Sequence, residues 1–263
     1  MSDMTNKIWR RKYLTFLHFI TVVCIMIGLV IHVGGWIGRD IWSSMFGKSF
    51  VSESKTTSGS STPGAFTEIN ADLAIGDITI KTGSDYDVSY DNYPEDLAPV
   101  IKYDNGTLKI TQKNKRTGWS INPNFAKSGE IVVTVPADAK LSLDMDLSMG
   151  AFEAKDVTFD EVDLNASMGS VEFNNCTSYK LDINASMGSI TIDGGSVASA
   201  EIDANMGSID IDADFNDLKA DCEMGSIDIK TSKDVSELRL ALDTEMGSIT
   251  INGSDYGRSY KSR

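Results

Sequence analysis

The sequence contains too few cysteines for a disulfide framework. Only three occur in 263 residues, and two of them, Cys176 and Cys222, lie in different units of a repeat described below. A bridge between them would have to skip units of that repeat, so we expect small buried side chains instead. Sparse cysteine in an exported domain is also more typical of a bacterium than of a disulfide-rich animal ectodomain.

Histidine is almost absent as well. Both histidines, His18 and His32, lie in one uncharged segment near the amino terminus. The remaining chain therefore offers no residue for a histidine-based triad or a histidine metal site. Carboxylates are abundant and leave open a polysaccharide lyase or hydrolase that uses an acidic face. The repeat period nevertheless accounts for the acidic residues that stand out, so we predict no enzyme, no catalytic residue, no cofactor and no metal site.

Positive charge is scarce over most of the chain. The formal net charge is −14, and residues 141–255 contain 24 acidic against 6 basic side chains. Such a surface repels phosphate backbones, which argues against nucleic acid as a partner. The first 12 residues are the exception, because they hold four basic side chains and one acidic one. This contrast indicates that the two parts of the chain meet different environments.

The uncharged segment, residues 13–38, predicts one transmembrane helix. At about 1.5 Å per residue it is about 39 Å long, enough to cross a bilayer with tilt. The basic residues of segment 1–12 place the amino terminus in the cytoplasm and the rest outside, in a single-pass protein of the cell membrane. A cleaved signal peptide is the rival interpretation, but the apolar run is long and no small-x-small site follows it. Residues 39–65, rich in Ser, Thr and Gly, predict a flexible extracytoplasmic stalk.

A Met-Gly pair recurs six times in the second half of the chain. The spacings between successive methionines are 19, 19, 19, 18 and 22 residues. Counted from each Met, positions −6, −4 and −2 are mainly apolar, and after the Gly the apolar positions are +3 and +5. Alternation with period two is typical of half-buried strands, and a change of phase requires a bend that Gly tolerates. The predicted corners are Gly76, Gly150, Gly169, Gly188, Gly207, Gly225 and Gly247.

One such unit cannot bury its apolar face alone, so the units must stack. We therefore predict an all-β fold, a parallel β-solenoid or β-helix of ~19-residue coils over residues 141–252, preceded by the transmembrane helix. Residues 66–140 predict an amino-terminal β cap that contains a degenerate first repeat, Ile69 to Ile80, and a hairpin around Asn105-Gly106. The 22-residue spacing predicts a bulged turn near residues 232–237. Residues 253–263 are expected to form a frayed tail.

The outward positions repeat as regularly as the core positions. Position −3 is a column of carboxylates and amides: Asp146, Asn165, Asn184, Asp203, Asp221 and Asp243. Stacked about 4.8 Å apart, such a column attracts divalent cations, cationic peptides or basic wall components. The alternative is an ordinary solvated face that keeps the protein soluble. The spacing differs from the known calcium-binding nonapeptide repeat, so diffuse attraction is favoured over specific calcium binding.

The residues from Phe66 to Asn252 resemble the bacterial "putative adhesin" family of β-strand repeat domains, also found in LiaG-like membrane proteins. The features that match are the cap strand Ile69 to Ile80, the Val135-Pro136 step that enters the array and the serial Gly-Ser/Asp-Ile turns. The resemblance implies an envelope protein of a Gram-positive bacterium and provides no catalytic motif. Our leading hypothesis is a non-enzymatic module for cell-envelope structure, adhesion or envelope-stress response. The expected partners are then the lipid bilayer, which residues 13–38 contact, and a cell-wall, surface or membrane-protein partner.

Overall fold

Alternating apolar side chains place almost the whole described chain in strands. The computed structural model describes residues 56–112 and 129–262. Its strands are β1 Thr56–Ser61, β2 Glu68–Leu73, β3 Asp77–Gly83, β4 Asp87–Pro94, β5 Pro99–Asp104, β6 Thr107–Gln112, β7 Glu130–Pro136, β8 Lys140–Met149, β9 Phe152–Lys155, β10 Thr158–Met168, β11 Val171–Met187, β12 Ile190–Met206, β13 Ile209–Met224, β14 Ile227–Lys230, β15 Arg239–Met246, β16 Ile249–Ile251, β17 Ser254–Asp255 and β18 Ser259–Lys261. One short 3-10 helix, Val235–Glu237, interrupts them.

Within this described part of the chain, no helix is both long and apolar enough to cross a membrane. The predicted transmembrane segment, residues 13–38, and the cytoplasmic tail, residues 1–12, lie outside the described residues.

The main array is a parallel solenoid, as predicted. Each coil contributes one strand before the Met-Gly corner and one after it, and both pair in parallel with the next coil. Leu164 pairs with Ile183 before the corner, and Val171 pairs with Ile190 after it. The inward side chains of successive coils form one continuous buried core. Stacking thus buries the apolar faces that a single coil would leave in water.

Close approach of the coils requires glycine at the corners. A Cβ on Gly169 would lie 1.7 Å from the carbonyl oxygen of Gly150, and a Cβ on Gly188 would lie 1.7 Å from that of Gly169. The φ angles of Gly169 and Gly188 are 141° and 144°, a region that disfavours residues with a side chain. The same close contact with the preceding corner recurs at Gly150, Gly207, Gly225 and Gly247.

The coils do not stack in chain order. The degenerate repeat β2–β3 pairs on one side with β8–β9, as Ile69 with Leu143 and Ile78 with Phe152. On its other side it pairs in parallel with β6 and β7, which follow it in sequence and form a further coil. The order in space is therefore β6–β7, β2–β3, β8–β9 and then the rest of the array.

Antiparallel strands close the amino-terminal side of the stack. β5 pairs with β6 as the predicted hairpin, β4 pairs with β7, and β1 pairs with β4. Because β1 spans residues 56–61, the prediction of a flexible stalk over 39–65 is wrong for this part. Its polar side chains carry no hydrophobic pattern, and backbone pairing at a sheet edge holds the strand instead. Gly59 makes this possible, since a Cβ there would lie 2.6 Å from the ring of Tyr90.

The carboxyl-terminal segment is also ordered by pairing. β17 and β18 run antiparallel to β16 and β15, and Leu242 pairs with Tyr260. The rings of Tyr256 and Tyr260 lie 4.6 Å apart, and Tyr260 packs against the core. The expectation of a frayed tail over residues 253–263 is therefore wrong, because these residues satisfy the open backbone edge of the last coil. In the long coil, the extra residues form the turn that includes Val235–Glu237.

Candidate functional site

The position −3 column lies on the outer face of the strands that precede each corner. Parallel pairing places its six members opposite one another in one row: Asp146, Asn165, Asn184, Asp203, Asp221 and Asp243. Asp72 of β2 extends the row at its amino-terminal end, where it pairs with Asp146. Four of the six are exposed, while Asp203 and Asp221 are partly exposed. The structure therefore brings all of the predicted column onto one surface.

A second acidic column runs beside it at position −5. Asp144, Asp163 and Asp182 pair directly across β8, β10 and β11. Sequence reasoning missed this column as a site, although its signal was the same repeat period. Asn70 of β2 donates a hydrogen bond of 2.9 Å from Nδ2 to Oδ2 of Asp144. Desolvation, followed by the charges of Asp182 and Asp144, raises the pKa of Asp163 above its usual range.

Basic side chains form ion pairs with carboxylates in or beside these two columns. Lys219 pairs with Glu201, and Arg239 pairs with Asp217. Desolvation raises the pKa of Asp203, and the nearby Lys219 partly offsets that shift. Towards the amino terminus, Lys180 lies 2.6 Å from Glu161. The carboxylates of Asp144, Asp163 and Asp182 lie in register, and the nearby Lys180 only partly offsets the rise in the pKa of Asp163.

We call the carboxylates of these two columns the acidic face: Asp72, Asp144, Asp146, Asp163, Asp182, Glu201, Asp203, Asp221 and Asp243. The members of each column lie side by side on successive strands, so the carboxylates form rows along the surface. Accordingly, no group of three or more His, Cys, Asp or Glu residues in the described part of the chain is arranged to hold a metal ion. Such a face attracts positive charge over a long surface.

The two cysteines in the described residues point into the core. Cys176 and Cys222 are both free and buried. Burial raises the pKa of both thiols, which keeps them protonated and unreactive at neutral pH. Their separation in different coils agrees with the interpretation of the sequence.

The outer surface also has an open cleft of about 440 Å³ at the turn between coils. Its edge includes Tyr179, which at 74% is the most exposed large apolar side chain among the described residues. Lys233 lies across the same cleft and donates a hydrogen bond of 2.7 Å from Nζ to Oδ1 of Asn216. Tyr179 carried no signal in the sequence, because it breaks the repeat at a position that varies from coil to coil.

Comparison with known proteins points to one family. A family model described as Toastrack DUF4097 matches residues 66–262. The match includes the segment from Phe66 to Asn252 on which the sequence resemblance rests, and it confirms that resemblance. None of the curated proteins compared with the chain matches it.

Two solved structures share the fold. A protein described as "a putative cell adhesion protein" from Clostridium sporogenes is 17% identical, with a TM-score of 0.50, and the alignment covers 75% of this chain and 99% of that chain. A "putative adhesin" from Bacteroides fragilis is 18% identical, with a TM-score of 0.53, and the alignment covers 76% of this chain and 97% of that chain. At these identities the likeness shows the architecture alone.

Proposed function

We propose that this chain, which belongs to the Toastrack DUF4097 family, is a non-enzymatic surface module of the bacterial cell envelope that adheres through the outer face of its solenoid. One observation carries the proposal: outward side chains of like chemistry lie in register from β8 to β15. Such a rigid, periodic face suits an extended or multivalent partner, because many weak contacts then add along one surface.

The charge of the face sets the chemistry of the partner. The acidic face concentrates carboxylates on one side of the solenoid, and basic side chains neutralise only part of them. A basic wall component, surface protein or membrane-protein segment would be attracted to it at low and physiological salt. Charge attraction of this kind tolerates variation in the partner, as an adhesive surface requires.

Anchoring in the cell membrane completes the proposal. The uncharged segment 13–38 and the basic residues before it support a single span with the solenoid outside the cell. A module held in this way can contribute to envelope structure or to an envelope-stress response through contact with a neighbouring protein. Protease treatment of intact cells should release the solenoid, whereas complete protection would contradict this topology.

Adhesion is tested with the compact unit Ser54–Arg263. Binding of the labelled unit to isolated cell envelopes is measured at increasing NaCl for the wild type and for the variant Asp144→Asn/Asp163→Asn/Asp182→Asn. The matched control, Asp85→Asn/Asp104→Asn/Asp138→Asn, removes the same charge from exposed positions outside the acidic face. We expect the first variant to lose most of its binding and the control to keep it. Equal losses would contradict a role for the acidic face.

The non-enzymatic part of the proposal has a separate test. The same unit is incubated with wall and capsule glycans, with and without calcium, and the products are separated by size. No shortened glycan is expected under either condition. Release of oligosaccharides that depends on the carboxylates of the acidic face would instead identify a polysaccharide-active enzyme.

A further inference from the structure

The six methionines of the Met-Gly corners form an exposed row, which we call the methionine ladder: Met149, Met168, Met187, Met206, Met224 and Met246. Each pairs with the methionine of the next coil in the parallel register. Their exposed fractions are similar, from 36% at Met224 to 55% at Met246. The chain therefore presents six thioethers in one line along one edge of the solenoid.

The backbone holds this line rigidly. The amide of Gly169 donates a hydrogen bond of 3.0 Å to the carbonyl of Met187, and the amide of Gly188 donates one of 2.9 Å to that of Met206. Equivalent bonds join Gly150, Gly207 and Gly225 to the methionine of the following coil. Because the corner glycines also touch one another, the Cα atoms of the ladder cannot shift independently. Only the flexible methionine side chains are free to adjust.

Packing of the core does not account for the ladder. The change of phase at the corner leaves positions −1 and 0 both pointing outward, so any polar residue would fit there. Met145 shows the contrast, since it lies at an inward position and is completely buried. Large apolar side chains repeated at the same exposed position are unusual for a soluble surface. The thioether sulfur is the chemical group that these positions share.

The spacing of the ladder fits coordination of a soft metal ion. Adjacent strands lie about 4.8 Å apart. A metal–sulfur bond is roughly 2.3 Å long, so two sulfurs on opposite sides of one ion lie about 4.6 Å apart. Neighbouring methionines can therefore clamp an ion between coils without movement of the backbone. We propose that the methionine ladder is a binding site for soft monovalent metal ions, Cu(I) and its analogue Ag(I).

The ligand set decides the class of ion. Thioethers are neutral and polarisable, and they select Cu(I) over hard cations such as Ca²⁺ and Mg²⁺. Within the described residues the thiols of Cys176 and Cys222 are buried, so they do not offer a competing exposed site for Zn²⁺. The acidic face and the net charge of −14 raise the local concentration of any cation. Negative charge thus attracts cations in general, and the thioethers provide selectivity for soft ones.

The tightest site lies at the carboxyl-terminal end of the ladder. Glu223 and Glu245 directly precede Met224 and Met246, whereas the equivalent positions before the first three methionines are Ser148, Ser167 and Ser186. All of these side chains are exposed. A carboxylate beside the sulfur offsets the positive charge of the ion, which a neutral thioether cannot do. We therefore assign first occupancy to the pair Met224 and Met246.

The test uses the full-length chain, purified in detergent and labelled with ¹³C at the methionine methyl groups. Ag(I) is titrated in while the methyl resonances are followed, because a methyl group beside a coordinated sulfur shifts. We expect the signals of Met224 and Met246 to move first, the other ladder signals to follow, and the buried Met145 to stay unchanged. With two thioethers per ion, saturation requires about three ions for the ladder.

Substitutions provide the second measurement. The variant Met206→Leu/Met224→Leu/Met246→Leu keeps side-chain volume but removes the sulfurs, and Met145→Leu is the matched control in the core. Competition with a Cu(I)-chelating dye should show at least tenfold weaker binding for the triple variant and unchanged binding for the control. If the triple variant does not fold, the methyl titration of the wild type decides alone.

Two results would overturn the proposal. In one, Ag(I) leaves the ladder methyl signals in place or moves that of Met145 equally. In the other, Ca²⁺ competes with Ag(I) as effectively as Cu(I) does, which would assign cation binding to the acidic face and leave the methionines as a cover over the corner glycines.

Discussion

The phenolic oxygen of Tyr93 lies 1.8 Å from the point that a Cβ on Gly76 would occupy. The ring of Tyr93 also covers Gly129, where a Cβ would lie 2.3 Å from the ring. Elsewhere in the stack, the preceding corner glycine occupies the equivalent place beside each corner glycine. Tyr93 therefore closes the row of glycines on the cap side, and it does so with a completely buried side chain.

This closure leaves the hydroxyl of Tyr93 without a hydrogen-bond partner among the described residues. Burial, together with the charges of Asp77 and Glu130, raises the pKa of the phenol, so it stays protonated at physiological pH. Tyr93→Phe removes a polar group that has no partner while keeping the ring. We expect the free energy of unfolding to stay unchanged or to increase, by at most about 1–3 kcal/mol in urea titrations.

Tyr103→Phe is the control for Tyr93→Phe. The hydroxyl of Tyr103 donates a hydrogen bond of 2.9 Å to the carbonyl of Ala65 at an exposed position. Its removal should lower the free energy of unfolding by about 0.5–1.5 kcal/mol. A larger loss at Tyr93 than at Tyr103 would show that the buried hydroxyl has a partner in the folded protein.

Gly188→Ala should prevent correct stacking in the middle of the array. The new Cβ would lie 1.7 Å from the carbonyl oxygen of Gly169, at a φ angle of 144°. The atoms that the new Cβ would meet belong to the backbone of Gly169, so the two coils would have to separate. We expect the free energy of unfolding to fall by more than about 4 kcal/mol, or the variant not to fold. Gly253→Ala is the matched control, because its φ is 78° and no atom lies within 4 Å of the new Cβ. Thermal unfolding that is equally affected in both variants would contradict the stacking argument.

Asp163→Asn should stabilise the fold at neutral pH. The pKa of Asp163 is raised in the folded state by desolvation and by Asp182 and Asp144. A carboxyl with a raised folded pKa opposes folding when both states are ionised, and this opposition fades as the pH falls through the folded pKa. The wild type should therefore gain stability on mild acidification relative to the variant. The unfolding midpoint of both proteins between pH 7 and pH 4 measures this difference.

Asp138→Asn provides the matched change of charge for Asp163→Asn. Asp138 is exposed in the turn before β8, away from the acidic stack. Its replacement tests whether the loss of one exposed negative charge is enough to cause the stabilisation, and we expect little change in the unfolding midpoint at pH 7. High NaCl should also reduce the advantage of Asp163→Asn, since salt screens repulsion between exposed carboxylates. An advantage that persists undiminished in high salt would mean that desolvation of Asp163, and not repulsion from Asp182 and Asp144, causes it.

Asp214→Ala should loosen the turn of the longest coil. The carboxylate of Asp214 accepts hydrogen bonds from Thr231 Oγ1 at 3.1 Å and from both the amide and the hydroxyl of Ser232, at 3.0 and 2.8 Å. The bonds from Ser232 are the main reason that the pKa of Asp214 is lowered. A carboxyl with a lowered folded pKa stabilises the fold above its unfolded pKa, and this stabilisation is lost as the pH falls through the folded pKa.

Hydrogen exchange measures the effect of Asp214→Ala. Amides of residues 231–234 should exchange faster in the variant at pH 7, while those of β13 and β15 should be nearly unchanged. The wild type should approach the variant on acidification. Asp228→Ala, a carboxylate on the outer face of β14, is the control. Uniformly faster exchange throughout the array would indicate global destabilisation instead of a local turn.

The repeat was predictable because one physical requirement acts at every coil. Each coil needs inward apolar side chains on both sides of a corner and a glycine where successive coils touch. The phase change between Ala166 and Val171 expresses this requirement directly in the sequence. Tight-turn chemistry likewise identified the hairpin at Asn105-Gly106, where both φ angles are positive.

The spatial order of the cap could not be read from the sequence. The inward residues of β2, Ile69 and Leu73, match the apolar pattern of β6 and of β8 equally well, so periodicity does not reveal that β2 lies between them. The edge strands β1 and β18 were missed for another reason. Backbone hydrogen bonds hold them in place, and most of their side chains are exposed, so they carry no amphipathic signal.

The candidate site was partly predictable. The column at position −3 follows from the repeat alone, and register places Asn165 and Asn184 between the aspartates as expected. The raised pKa of Asp163 was not predictable, because it depends on desolvation and on which charged side chains lie near this carboxyl in the folded protein. Long basic side chains such as Lys180 can reach several acidic residues, and only the three-dimensional structure shows which one each contacts.

The position of β2–β3 between two later coils requires strand pairing over a long stretch of sequence. During synthesis, Ile69 and Ala71 emerge well before Leu143 and Met145, so the second edge of this repeat stays open until at least residue 147 is available. Pairing over such a distance closes a long loop and is slow. Once β6–β7, β2–β3 and β8–β9 have paired, each following coil can pair with the coil before it, which is close in sequence. Mutations near residues 69–73 should therefore slow folding, whereas mutations in the later coils should mainly speed unfolding.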